Sequence, residues 1–135
     1  MTLPDFLLAY IQQGRDLFAL GGAEWHITAK LSDKPNGNPA CAGSAKTDFK
    51  YLNASLEFAD TLEPGPSTRG IVLHELGHVA HAEIDNAVDF ILAQMDEERR
   101  DHFRELYDEA VERYLQRLSR SLVCYAKLEE LSNAA

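Results

Sequence analysis

The sequence predicts an α+β domain with a small antiparallel sheet and with most of its helices in the C-terminal half. Two short stretches alternate apolar and polar residues with the period of two that is typical of half-buried strands. From Val79 onward the chain contains neither glycine nor proline and is rich in Glu, Arg, Leu and Ala, which favours helix. Because 135 residues is the size of one ordinary domain, we expect a single domain over residues 1–135.

The first predicted element is an amphipathic helix within residues 1–22, followed by a core over residues 24–122. Thr2 is the candidate N-cap, Pro4 stands in the first turn, and Gly21-Gly22 ends the helix. The segment "EWHITAKLS" then places apolar residues at alternate positions and predicts a strand. Residues 33–44 contain two prolines and two glycines and predict a loop.

The second predicted strand lies within "YLNASLEFAD", where apolar residues again alternate from Leu52 onward, and it ends before Pro64. Ser67 or Thr68 is the candidate cap of the next helix. Breaks near Asp85-Asn86 and near Asp96 divide the remaining chain into three helices. The expected order is therefore helix, strand, loop, strand, helix, short helix and long helix.

Charge and composition exclude several classes of partner. The formal net charge of −9 opposes binding to nucleic acid or to an anionic membrane, because the phosphates of both would be repelled. No apolar run approaches the length of a membrane span, and the N-terminal segment lacks the basic region of a secretory signal. Cys41 and Cys124 form no C-x-x-C pair, which fits a reducing compartment. We expect a cytoplasmic protein.

The segment "IVLHELGHVAH" at residues 71–81 is the main candidate for a functional site. On a helix its three histidines, His74, His78 and His81, fall within about 60° of one another. Apolar residues occupy the opposite side: Val72, Leu76, Val79 and Ala80. Gly77 would allow close approach to a strand. The pattern predicts a helix with an apolar back and a histidine front.

This spacing points to zinc chemistry. Histidines at i and i+4 are one turn apart, so His74 and His78 can reach one tetrahedral Zn²⁺. Zinc lowers the pKa of a bound water toward about 7, and Glu75 is placed to take the proton as the water attacks a carbonyl. His81 lies about 10 Å along the axis from His74, too far to share the ion. The alternative is an amphipathic helix whose histidines are exposed or hydrogen-bonded.

With these residues in place, the chain resembles the zincin superfamily, in particular the short gluzincin-like HExxH metallopeptidases of phage and prophage type. The resemblance covers residues 24–122 through the segments "WHITAKL", "CAGSAKTD", "YLNASLEF", "IVLHELGHV" and "YDEAVERYLQRL". It implies a zinc metallopeptidase in which the second strand, over residues 52–60, borders the metal and pairs with an extended peptide. The metzincin branch is excluded, since its pattern requires glycine at His81 and histidine at Ile84.

The resemblance also implies that a glutamate on the long helix completes the metal site. An acidic residue near Val-x-Arg favours Glu109 as this ligand. Four other residues remain open as the third ligand, namely Glu112 as the next choice, followed by Asp108, His102 and Glu105. Asp85 and Asp89, soon after the motif, are further candidates. The apolar stripe predicted for the helix passes through Phe103, Leu106, Tyr107, Ala110, Val111, Tyr114 and Leu118, and none of the acidic candidates falls on it.

Two classes of function follow from these residues. The first is a zinc metallopeptidase acting on a peptide or protein substrate, with His74, His78 and Glu109 as metal ligands and Glu75 as general base. A phenol from Tyr107, Tyr114 or Tyr125 could then stabilise an oxyanion. The second is a noncatalytic regulatory or adaptor protein of the same fold, whose acidic surface binds a basic partner.

Overall fold

The computed structural model describes residues 2–20 and 24–134, with side chains placed as far as residue 124. The elements in chain order are α1 (Asp5–Leu17), β1 (His26–Ser32), a 3-10 turn (Pro35–Gly37), β2 (Gly43–Asp48), β3 (Asn53–Ala59), α2 (Pro66–Leu92) and α3 (Glu97–Ala134). A three-stranded sheet is thus combined with three helices, two of them long. The α+β class predicted from the sequence is confirmed.

The sheet is mixed, so the prediction of an antiparallel sheet is wrong. The strand order is β1-β3-β2, with β1 parallel to β3 and β2 antiparallel to it. Parallel strands require a long connection between them, and residues 33–52 provide one that also contains β2. β3 is therefore the central strand, and its backbone pairs with a strand on each side.

Both predicted strands are confirmed, and their alternating residues are buried as expected. Ala54, Leu56 and Phe58 of β3 are almost fully buried. In β1 the apolar residues are half-buried while His26, Thr28 and Lys30 are exposed. Burial is deeper in β3 because it is the central strand.

Strand β2 begins inside residues 33–44, the segment predicted as a loop, and covers most of "CAGSAKTD". "GSAKTD" carries no run of apolar or β-branched residues, so its own sequence gives little strand signal. Pairing with β3 from Gly43↔Phe58 to Asp48↔Asn53 holds it in the sheet. Leu52 lies in the β2–β3 turn at φ 52°, and not in the strand as predicted.

Helix α2 runs unbroken through Asp85-Asn86, so the break predicted there is wrong. Its N-cap is Gly65 and not Ser67 or Thr68; the Thr68 hydroxyl instead donates to the Glu63 carbonyl at 2.5 Å. The break near Asp96 is confirmed. The Asp96 carboxylate accepts a hydrogen bond from the Arg99 backbone N–H at 3.0 Å, an N-terminal cap for α3.

The N-terminal helix is confirmed as α1, with differences at both ends. Pro4 is its N-cap, so the prediction of Thr2 is wrong, and the helix ends at Leu17. Gly21-Gly22, predicted to stop it, lie outside the described residues. Leu7 and Ile11 of α1 enter the core together with β3 and the apolar side of α2.

Two glycines allow the helices to pack closely. A Cβ on Gly14 would lie 2.4 Å from Leu76 Cδ1, so α1 and α2 are in close contact there. A Cβ on Gly77 would lie 2.9 Å from Leu115 Cδ2. Gly77 therefore faces α3 and not a strand as predicted, and this contact fixes the position of α3 beside the histidines. Within the described residues, no helix combines the length and the apolar character that crossing a membrane requires.

Candidate metal centre and cleft

His74 and His78 lie one turn apart on α2, as the spacing predicts. Their ring centroids are 5.1 Å apart with an interplanar angle of 76°, and their side chains are 14% and 24% exposed. On the opposite side of the helix, Val72, Leu76 and Val79 are buried in the core, whereas Ala80 is exposed, contrary to prediction. Burial of the apolar back orients the histidines toward α3.

Glu112 of α3 brings a carboxylate to both histidines. Its Oε2 lies 3.1 Å from His74 Nε2, and its Oε1 lies 2.8 Å from His78 Nε2. One ligand atom from each of the three residues lies within 4.8 Å of the other two. Buried Val111 and Leu115 anchor the same segment of α3 against α2, which keeps Glu112 at the histidine pair.

The structure places Glu109, the predicted third ligand, elsewhere. Three residues before Glu112, it lies about 60° further around the helix, exposed, with its carboxylate 3.9 Å from Arg113 Nη1. His102 contacts the neighbouring Phe103 near the start of α3. Asp108 lies among the acidic residues on the far side of the histidine pair. Glu105 is exposed and is not part of the cluster of His74, His78 and Glu112, which we call the histidine–glutamate group.

The position of the apolar stripe on α3 explains this error. Phe103, Leu106 and Tyr114 were predicted to be buried, but each is about half exposed. Over the part of α3 whose side chains are described, up to residue 124, the buried residues are Val111, Leu115 and Ser119, spaced by four. The signal in the sequence that could have identified this face is the pair of apolar residues Val111 and Leu115, four residues apart, and Glu112 flanks it.

Glu75 lies beside the histidines and is only 8% exposed. A Cβ on Gly43 would lie 3.3 Å from its Cγ, so the missing side chain at Gly43 leaves room for the carboxyl group. Burial, and secondly the charge of Glu112, raise the pKa of Glu75 to about 7. A carboxyl group with this pKa can both accept and release a proton at neutral pH. Burial lowers the pKa of His78, which favours its neutral, metal-binding form.

A cleft of about 640 Å³ opens next to Glu75 and His74. Its walls come from the start of β2, the first turns of α2 and the second half of α3. Most of the lining residues are small or apolar, including Ala42, Gly43, Gly70 and Ile71. Ser119 is buried and donates to the Gln116 carbonyl at 3.1 Å. The cleft gives a ligand direct access to the group that can transfer a proton.

His81 is not part of the histidine–glutamate group, in agreement with its distance along the helix. Its Nδ1 lies 2.9 Å from Asp85 Oδ1, and the Tyr107 hydroxyl donates to the same oxygen at 2.6 Å. Burial, and then Asp85, raise the pKa of Tyr107 above its usual range. Asp89, a further candidate ligand, pairs with Arg104 at 2.9 Å. We call this neighbourhood the acidic groove, lined by His78, Asp85, Asp89, Arg104, Tyr107, Asp108, Val111 and Glu112.

None of the described tyrosines lines the cleft. Tyr107 contacts Asp85, Tyr114 packs near the His81 ring at 6.4 Å, and the Tyr125 side chain lies outside the described residues.

The donor set fits zinc. Two imidazole nitrogens and one carboxylate are a combination that catalytic zinc sites use, and neutral histidines with an ionised glutamate are the protonation states required. His74 Nδ1 is buried and has no hydrogen-bond partner among the described residues, so ring packing and Glu112 hold its orientation. Comparison of the chain with protein-family models, with curated proteins and with solved structures finds no match.

Proposed function

We propose that the chain is a zinc-dependent metallopeptidase, in line with its resemblance to the zincins. In this proposal His74, His78 and Glu112 hold Zn²⁺, and Glu75 is the general base and acid. One observation carries it: the Nε2 atoms of two histidines, one turn apart, converge on a single carboxylate of another helix, beside a buried glutamate that faces a cleft.

The roles of the chain's own residues follow from their positions. Bound Zn²⁺ would acidify a water molecule and polarise the substrate carbonyl. Glu75 takes a proton from the attacking water and returns it to the leaving amine nitrogen as the C–N bond breaks. Its burial supports this role, because a pKa near 7 suits both directions of transfer.

An extended peptide would pair with β2 and not with residues 52–60 as expected from the sequence. β3 is the central strand and is paired on both sides, whereas one edge of β2 is unpaired within the described residues. Ala42 and Gly43, at the start of β2, line the cleft beside Glu75. Unpaired backbone N–H and C=O groups at such an edge can hydrogen-bond to an added strand.

The test measures zinc content and cleavage in the same preparations. We expect about one zinc per chain, and we expect cleavage of some members of a quenched fluorescent peptide library. Glu75→Gln should keep the zinc and lower cleavage by a factor of about 10² or more, since a general base contributes 10²–10⁴. Glu83→Gln is the matched control, because Glu83 is exposed on the same helix.

Three outcomes would contradict the proposal. A purified chain without zinc would remove the metal centre. A chain that holds zinc and cuts no member of the library would favour the noncatalytic adaptor instead. Cleavage that survives Glu75→Gln would show that another group moves the proton.

A further inference from the structure

The second half of α3 carries a row of arginines in a chain that has 22 acidic and 13 basic residues. Arg113, Arg117 and Arg120 are spaced by four and three, so they lie on one face of the helix. Together with Gln116 they line a shallow surface groove. Gln116 and Arg120 also line the cleft beside Glu75, so the arginine row leads into it.

Among the described residues that line the cleft, Arg120 is the only basic one apart from His74. Within the same described lining, the only acidic residue is Glu75, which is buried. Among the side chains that the structure describes, neither Arg117 nor Arg120 forms an ion pair, whereas Arg113 has Glu109 at 3.9 Å. The planar guanidinium of Arg120 therefore has donors available for a ligand, and its shape suits a carboxylate.

Arg120 lies at some distance from the reacting centre. It follows Glu112 by eight residues, which places it about 12 Å further along the α3 axis. An extended peptide advances about 3.3 Å per residue, so roughly three to four residues span that distance. A group that reaches Arg120 is thus not adjacent to the bond that would be cut.

We propose that Arg120 selects peptides that carry a carboxylate roughly three to four residues from the scissile bond, with Arg117 adding positive charge at the mouth of the cleft. The inference rests on the proposed peptidase function and names its substrate class. The net charge of −9 repels an acidic peptide, but at physiological salt solvent ions largely screen this repulsion at distances beyond about 8 Å. The contact with Arg120 acts inside this distance.

The experiment uses the full zinc-loaded chain with Glu75→Gln, which binds without cutting. Fluorescently labelled peptides carry one glutamate at successive positions, each with a glutamine counterpart, and their affinities are measured by anisotropy. We expect the glutamate peptide at the best position to bind about tenfold more tightly than its glutamine form. Arg120→Gln should abolish this difference, Arg120→Lys should restore part of it, and Arg99→Gln, remote at the start of α3, should leave it unchanged.

Two further measurements identify the source of the carboxylate and distinguish this inference from the peptidase proposal. If a free C-terminus replaces the side chain, amidation of the peptide should remove the preference. Mass spectrometry of peptides cut by the unmodified chain gives the distance from the cut to the preferred carboxylate. Equal affinity for glutamate and glutamine peptides, no binding of any peptide, or a preference that survives Arg120→Gln would overturn the inference. Cleavage without charge preference would overturn it and leave the peptidase proposal standing. A charge preference without cleavage would overturn the peptidase proposal and leave only the recognition of a carboxylate by Arg120.

Discussion

The two sides of the histidine–glutamate group differ in how their polar side chains are satisfied. In the acidic groove, Asp85 accepts from His81 and Tyr107, and Asp89 accepts from Arg104. In the cleft, Glu75 is buried without an ion pair within the described part of the chain, and Arg120 likewise has none.

Polar groups whose partners lie within the protein hold the structure together, whereas groups without such partners are available to a ligand. This difference favours the cleft as the ligand-binding side and gives the acidic groove a structural role. Both sides share the contact between α2 and α3.

The largest effect is expected from removing the carboxylate between the two sides. Glu112→Gln should weaken zinc binding by more than about 100-fold, because the loss of a ligand exceeds the 10–100-fold cost of losing an outer hydrogen-bond partner. Competition with a chromogenic chelator measures the affinity. Glu109→Gln, one turn earlier on the same helix, is the matched control and should change it little. A larger loss at Glu109 would mean that α3 is rotated relative to the structure.

The second largest effect is expected from removal of the metal. At a zinc concentration 100 times the dissociation constant, binding adds about 2.7 kcal/mol to the free energy of unfolding. For a chain of 135 residues this corresponds to a fall of about 10 °C in Tm when a chelator is added. Differential scanning calorimetry measures it. The Glu112→Gln variant should respond little to the chelator, and an equal response in both proteins would mean that zinc stabilises some other site.

The proximity of the two histidines on α2, our proposed metal ligands, could be predicted from the sequence because both lie on one helix. The spacing of His74 and His78 fixes their relation through local geometry alone, and α2 places them as expected. The proposed third ligand depends on how another helix packs, and periodicity located the apolar stripe of α3 incorrectly. Leu115 contacts Gly77 and thereby turns Glu112, not Glu109, toward the histidines.

The strands of the sheet likewise differ in whether local sequence or long-range pairing determines them. β1 and β3 carry their own alternating pattern and were predicted. β2 has no such pattern and depends on pairing with β3, so its strand conformation and its edge position follow from tertiary structure. The predicted fold class is correct despite these errors because the helices and two strands define it. Strand β2, which borders the cleft, could not be predicted from its own sequence.

The packing of α3 can be tested directly at Gly77. Gly77→Val would place side-chain atoms against buried Leu115 and should lower the free energy of unfolding by about 2 kcal/mol, since overpacking costs 1–3 kcal/mol. Gly70→Ala is the control. Its Cβ would be 3.7 Å from Val123, an ordinary contact, and alanine should raise helix stability by up to about 1 kcal/mol. Urea denaturation measures both.

If α3 moves in Gly77→Val, zinc affinity should fall as well, because Glu112 would be displaced from the histidines. Unchanged zinc affinity in a destabilised variant would mean that Glu112 is held independently of this contact. Gly70→Ala should keep the zinc affinity of the unmodified chain.

The smallest effect is expected in the acidic groove. Tyr107→Phe removes the hydrogen bond to Asp85 and should lower the free energy of unfolding by about 1 kcal/mol, the usual net contribution of one hydrogen bond. Tyr114→Phe, half exposed on the same helix, should change it by less than about 0.5 kcal/mol, as most surface substitutions do. Zinc affinity should be nearly equal in the two variants, because His81 and Asp85 lie outside the histidine–glutamate group. A tenfold weaker zinc affinity in Tyr107→Phe alone would make the acidic groove part of the metal centre, and the contrast with the cleft would no longer hold.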